Sequence, residues 1–114
     1  MVINNKTFQD DRLFTQVEQN AIDHALAGRW QEAVKVNLEG SAIYPDNIGC
    51  HNRLAKAYLE LGKYKQARAS IKRALAIDPG SRVARRQSDR LSELDDPGIS
   101  RRTIGSAAIS SALF

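Results

Sequence analysis

The sequence predicts an all-α chain, a solenoid of antiparallel helix pairs with about five helices. Three observations carry that prediction. Residues 14–47 laid over residues 48–81, an offset of 34, give six identical pairs: Ala21/Ala55, Gly28/Gly62, Ala33/Ala67, Ala42/Ala76, Ile43/Ile77 and Pro45/Pro79. A fixed period of that length belongs to stacked helical units. The matches fall where backbone geometry is demanding: glycines that end a helix with φ > 0, and prolines that cannot continue one. Between these marks the apolar residues recur at three- and four-residue spacing, one face of a helix.

Each element follows from that frame. Residues 1–13 read as a polar lead-in without a period. Thr15 and Glu18 fit a capping box, so the first helix is expected near 14–27, starting about Gln16. Gly28 turns the chain, and Trp30 opens a second helix over 30–43. Asn47 stands as an N-cap before a third helix over 48–61, whose Leu54, Ala55, Tyr58 and Leu61 form an apolar face. After Gly62-Lys63, a fourth helix over 64–77 carries Tyr64, Ala67, Ile71, Ala74 and Leu75, and Asp78-Pro79-Gly80 ends it. Ser81 caps a fifth helix over 82–94. Its apolar stripe is narrow (Val83, Ala84, Gln87, Leu91 and Leu94) and charged residues fill its other sides, as the exposed end of a stack requires. Asp95-Asp96-Pro97-Gly98 breaks this helix, and residues 95–114 read as a flexible tail outside the repeat.

A single domain fits 114 residues, of which 42% are hydrophobic and 26% charged. No apolar run approaches the ~20 residues that cross a bilayer, so no membrane role is expected. Met1 to Thr7 lack the charged start and apolar middle of a secretory signal, which points to a cytoplasmic protein. One cysteine, Cys50, leaves no disulfide framework. Charge is uneven: residues 1–47 hold 4 Lys/Arg against 7 Asp/Glu, and residues 48–114 hold 13 against 6. A basic second half favours an anionic partner.

These features resemble the tetratricopeptide repeat family. The phrases Leu-Glu-Leu-Gly-Lys-Tyr (59–64) and Ala-Leu-Ala-Ile-Asp-Pro (74–79) are specific to its pattern, and Leu54, Ala55, Tyr58, Ala67, Ala74 and Pro79 stand at its signature positions. His51 takes the place of the usual Trp, and Ile71 that of an aromatic. The first copy departs further: Asn20, His24 and Asn37 replace Leu, Tyr and an aromatic, while Gly28, Ala33 and Pro45 hold. The resemblance covers residues 14–94. It implies two repeats, 14–47 and 48–81, a capping helix 82–94, a right-handed superhelix, and a concave groove lined by the first helix of each pair. Proteins of this kind bind extended peptides or helices and act as adaptors and scaffolds.

On that resemblance, two rows face the groove: Glu18, Asn52 and Arg86, and one turn on, Ile22, Lys56 and Arg90, with Arg53 beside them. Arginine forks onto carboxylate or phosphate, and Asn52 can pair with a peptide backbone. Ile22 or Leu59 would anchor an apolar side chain. The family's well-known grip on a C-terminal carboxylate uses Lys and Asn in the first repeat. Glu18 and Ile22 stand there instead, so that clamp is not expected.

Metal and catalytic readings are weaker. His24 is equivalent to Tyr58 and His51 to a packing Trp, so both read as packing substitutes. Neighbouring Cys50 and His51 would diverge by about 100° on a helix. No phosphate loop, nucleophile elbow or zinc-protease motif is present. No cofactor and no enzyme activity are expected. Three functions stay open: a non-catalytic module binding an acidic peptide in the groove, a nucleic-acid or ribonucleoprotein-associated protein using its basic half, and a self-assembling module. Two pairs and a cap lie near the lower limit of a self-supporting stack, so a homodimer or a modest melting temperature is also expected.

Overall fold

The computed structural model describes residues 2–95, with side chains from residue 12 onward. Five helices follow in order: α1 (Val2–Leu26), α2 (Trp30–Ile43), α3 (Ile48–Glu60), α4 (Tyr64–Ile77) and α5 (Arg82–Leu94). Among the described residues there is no strand. Each helix packs on the next, and α3 also meets α1 and α5, whereas the backbones of α2 and α4 stay farther apart. The odd helices therefore form one closely spaced layer and the even helices a splayed one. This is an all-α helix-pair solenoid.

The period is written into the turns. Gly28 and Gly62 both take φ 74°. Gly28 N–H donates to Ala25 O at 3.0 Å and Arg29 N–H to His24 O at 2.8 Å; Gly62 N–H donates to Leu59 O at 3.1 Å and Lys63 N–H to Tyr58 O at 2.8 Å. Each pair is a Schellman closure, which satisfies the last carbonyls of α1 and α3 and needs a residue free to adopt left-handed backbone. The second joints match as well. Asn47 Oδ1 accepts from Cys50 N–H at 3.1 Å, and Ser81 Oγ accepts from Ala84 N–H at 3.2 Å. Both expected N-caps are in place.

Three elements differ from expectation. The first helix begins at Val2, not near Gln16, so the polar lead-in is helical and Thr15 lies inside the helix rather than at its cap. No glycine or proline stands before Gly28, so nothing in the chain stops the helix earlier. On α5 only Ala84 and Leu91 are buried, while Val83 and Leu94 stay 44% and 37% exposed. Among the described residues no helix follows α5, and the line that faces α3 and α4 is the one covered. Asp95 does not begin a free tail: its N–H caps α5 on Leu91 O, and its carboxylate holds Arg68 Nη2 of α4 at 2.8 Å. The other expectations for the tail fall on residues outside those described.

The core is unevenly built. Ala55, Leu59, Ala67, Ile71 and Leu91 form its apolar cluster, with Tyr58, Tyr64 and Leu75 packed around it, all from α3, α4 and α5. Around α1 and α2 the packing is tighter and more polar. Gly40 of α2 lies so near its neighbours that a Cβ there would sit 2.9 Å from Cys50 Sγ. Phe14 meets Tyr44 edge-on, with ring centroids 4.7 Å apart.

Candidate functional site

The odd-helix layer carries the charged residues expected in the groove. Between α3 and α5 it holds a recess of about 530 Å³, lined by Lys56, Val83, Arg86, Gln87, Asp89, Arg90 and Glu93. Lys56, Arg86 and Arg90 are thus brought together, as the period requires. Arg86 and Arg90 lie four apart on α5 and Lys56 faces them from α3. Helical neighbours at that spacing share a face about 6 Å apart.

Charge in the recess is more balanced than the residue rows alone imply. Asp89 and Glu93 also line it. Glu60, the last residue of α3, takes Lys56 Nζ and Arg90 Nη1 on the same Oε2, each at 3.0 Å. The hydrogen bond from Lys56, with that from Arg90, holds the Glu60 carboxyl below the usual carboxylate range, although partial burial works the other way. The Lys56 ammonium also stands 5.9 Å from the centre of the Trp30 ring, within reach of a cation–π contact. Of the three cations that line the recess, Arg86 alone makes no ion pair or side-chain hydrogen bond with a described residue.

Two expected site residues lie elsewhere. Leu59 is 3% exposed within the apolar cluster, so it is a core residue and offers no anchor to a ligand. Arg53 turns inward: its side chain is 21% exposed, its Nε donates to Asn37 Oδ1 at 2.9 Å, and its Nη2 reaches Glu18 Oε2 at 3.4 Å and Cys50 Sγ at 3.8 Å. Asn37 is buried and closes the network by donating Nδ2 to Ala33 O at 2.8 Å. Arg53 and Glu18 therefore tie α1, α2 and α3 together. Cys50 lies under this network, and burial pushes its thiol up, against the opposing pull of Arg53. Ile22 is partly buried on α1. The Asn52 side-chain oxygen is shielded and has no hydrogen-bond partner, and its backbone carbonyl accepts from Gln87 Nε2 at 3.5 Å.

Both histidines have protein partners. His51 is buried, and its Nε2 lies 2.7 Å from Pro45 O. A carbonyl only accepts, so Nε2 carries the proton. His24 Nδ1 accepts from Arg29 Nε at 2.9 Å.

Sequence reasoning missed Glu60 and Asn37. The signal for Glu60 was local, since Lys56 and Glu60 stand at i and i+4 on one helix. For Asn37 the only signal was a polar residue at a position where the next repeat has Ile71.

Stacked helix pairs joined by Schellman turns, with a charged recess between their first helices, define a helical-repeat binding protein. The family profile for the tetratricopeptide repeat matches residues 24–88, more than half of the chain, and the chain belongs to that family. The fold is a protein-interaction fold. No curated protein matches the sequence closely. Among the described residues no helix is long and apolar enough to cross a membrane.

Proposed function

We propose that the protein is a small non-catalytic adaptor or scaffold of the cytoplasm, which holds an extended acidic segment of a partner protein in the groove of its odd helices. Arg86, Arg90 and Lys56 take the carboxylates, Asn52 donates its Nδ2 to a backbone carbonyl, Ile22 offers an apolar contact at the α1 end, and Glu18 repels the acidic end of the ligand and so sets its direction. The observation that carries this reading is the recess between α3 and α5, with three cations on its wall and Arg86 unpaired. Each charge-assisted contact contributes about 1.5–3 kcal/mol when desolvated and much less when exposed. Two good contacts with an apolar neighbour amount to micromolar affinity, about −8 kcal/mol.

A nucleic-acid backbone is less well served, because Asp89 and Glu93 interleave with the arginines on the same wall. Salt separates the two readings: several phosphate contacts give a steep loss of affinity with ionic strength, and two or three carboxylate contacts a shallow one. The direct test is capture of partners from the source cell, and of an acidic peptide, by wild type and by the Lys56→Glu/Arg90→Glu double variant. Loss of capture with helicity retained is the expected result. Unchanged capture by the double variant would move the working surface away from this groove.

A further inference from the structure

A second recess lies in the splayed layer, between α2 and α4 with α3 as its floor, and measures about 220 Å³. Leu38 of α2, 47% exposed, and Ala69 of α4 form apolar walls, and Leu54 of α3 lies beneath them. Three polar side chains also line it, and each has something left to give. Ser70 is 7% exposed, yet its hydroxyl makes no hydrogen bond with a described residue. His51 is 6% exposed; with Nε2 bonded to Pro45 O, its Nδ1 lone pair has no donor among the described residues. Arg73 forms no ion pair or side-chain hydrogen bond with a described residue. Ser41, by contrast, spends its hydroxyl proton on Leu38 O at 3.0 Å. Nearly buried polar groups are normally paired, so two unpaired ones in a single recess call for a physical reason.

We propose that this recess is a docking pocket for a tyrosine side chain of a partner protein. Its volume falls below the roughly 300–1,000 Å³ of small-molecule sites, which leaves room for one side chain. The ring covers Leu38, Leu54 and Ala69. The phenol hydroxyl donates to His51 Nδ1 and accepts from the Ser70 hydroxyl or the Arg73 guanidinium. Tyrosine joins a large apolar body to one polar tip, the same pairing that the lining presents. An alkyl or phenyl group would strip water from Ser70 and His51 and return no hydrogen bond. A carboxylate suits Arg73 but sets its lone pairs against that of Nδ1. A primary amide can pair with the polar groups, yet it brings little apolar surface to Leu38 and Leu54. A second copy of this chain does not supply the ring: Tyr58 and Tyr64 pack against their own apolar cluster, and Tyr44 lies against Phe14. The pocket shares no residue with the recess between α3 and α5, so neither reading depends on the other.

The test titrates the isotope-labelled full chain with four side-chain analogues, p-cresol, toluene, propionate and propionamide, and follows amide shifts by magnetic resonance. We expect p-cresol to move the amides of Leu38, His51, Leu54 and Ser70 with millimolar affinity, about fivefold or more tighter than toluene. Ser70→Ala removes one polar partner and should shrink the preference for p-cresol over toluene. Ala69→Phe, at an exposed position on the wall, fills the recess and should abolish binding of both. If p-cresol moves no amide of the recess, there is no pocket. If toluene binds as tightly as p-cresol, the recess is only an apolar depression; if propionate or propionamide binds more tightly, it reads an anion or an amide. Each of these results overturns the proposal, as does an unchanged preference in a folded Ser70→Ala. Circular dichroism checks the fold of both variants. Should either be poorly folded, the order of the four probes on wild type decides alone.

Discussion

Positions 37 and 71 are equivalent in successive repeats, one asparagine and the other isoleucine, and both are buried. Around Ile71 the second repeat closes over an apolar cluster with Leu59 and Leu91. Around Asn37 the first repeat closes over a polar one, in which the guanidinium of Arg53 reaches across from the next helix pair. The backbone joints are the same in both. A helix pair therefore tolerates either core, provided the buried amide is satisfied, because an unpaired one would cost about 1–3 kcal/mol. The difference has a consequence for function. Arg53 is committed to the fold, so of the cations expected in the groove Lys56, Arg86 and Arg90 are left to line the recess.

The largest effect that would sharpen this contrast is in the apolar core. Ile71→Ala is expected to cost about 2–5 kcal/mol, the range for a buried large-to-small change. Denaturant unfolding measures it, and a cost under about 1 kcal/mol would mean that the second repeat is not the stable half.

Next comes the polar core. Arg53→Ala leaves Asn37 Oδ1 buried without a donor and is expected to cost about 2 kcal/mol. Adding Asn37→Leu removes the orphaned group, so the double variant should be less destabilised than the two single costs combined. Strict additivity would show that the Asn37–Arg53 contact does not hold the first repeat together.

Glycine substitutions test the shared joints. Gly28→Ala and Gly62→Ala should each cost about 1 kcal/mol and by similar amounts, since both carry φ 74° and a Cβ at either would meet open space. Gly40→Ala should behave differently. Its backbone is helical, where alanine is favoured, but its Cβ would press on Cys50 Sγ. Overpacking of that kind costs about 1–3 kcal/mol, and crowding relieved by Cys50→Ala would identify the cause.

The smallest effect is on acid stability. Glu60 has a folded pKa below its unfolded value of about 4.3. Its contribution is complete above about pH 4.3 and is lost as pH falls through the lower folded value. The pairs are surface pairs, so a few tenths of a kcal/mol are expected. Unfolding curves for wild type and Glu60→Gln should differ above that range and converge below it.

The helix joints were legible in the chain because each is local. A Schellman turn spans six residues, an N-cap four, and Gly28, Gly62, Asn47 and Ser81 mark them at a constant offset. That Lys56, Arg86 and Arg90 share one recess was legible too, because equivalent positions in a repeat face the same way. Sequence reasoning fell short where a local signal was overruled: Thr15 and Glu18 spell a capping box, yet the helix runs through them from Val2.

By itself, then, the sequence determined the all-α class, the 34-residue period, the turns between the five helices and the family, since these depend on interactions within a few residues. Only the tertiary structure decided which charges remain open. Arg53 meets Asn37 across sixteen residues and Glu18 across thirty-five, and Arg90 meets Glu60 across thirty. A long cationic side chain can reach any acceptor within several ångströms, and which acceptor lies there is set by how the helices dock, a property that no local pattern of residues records.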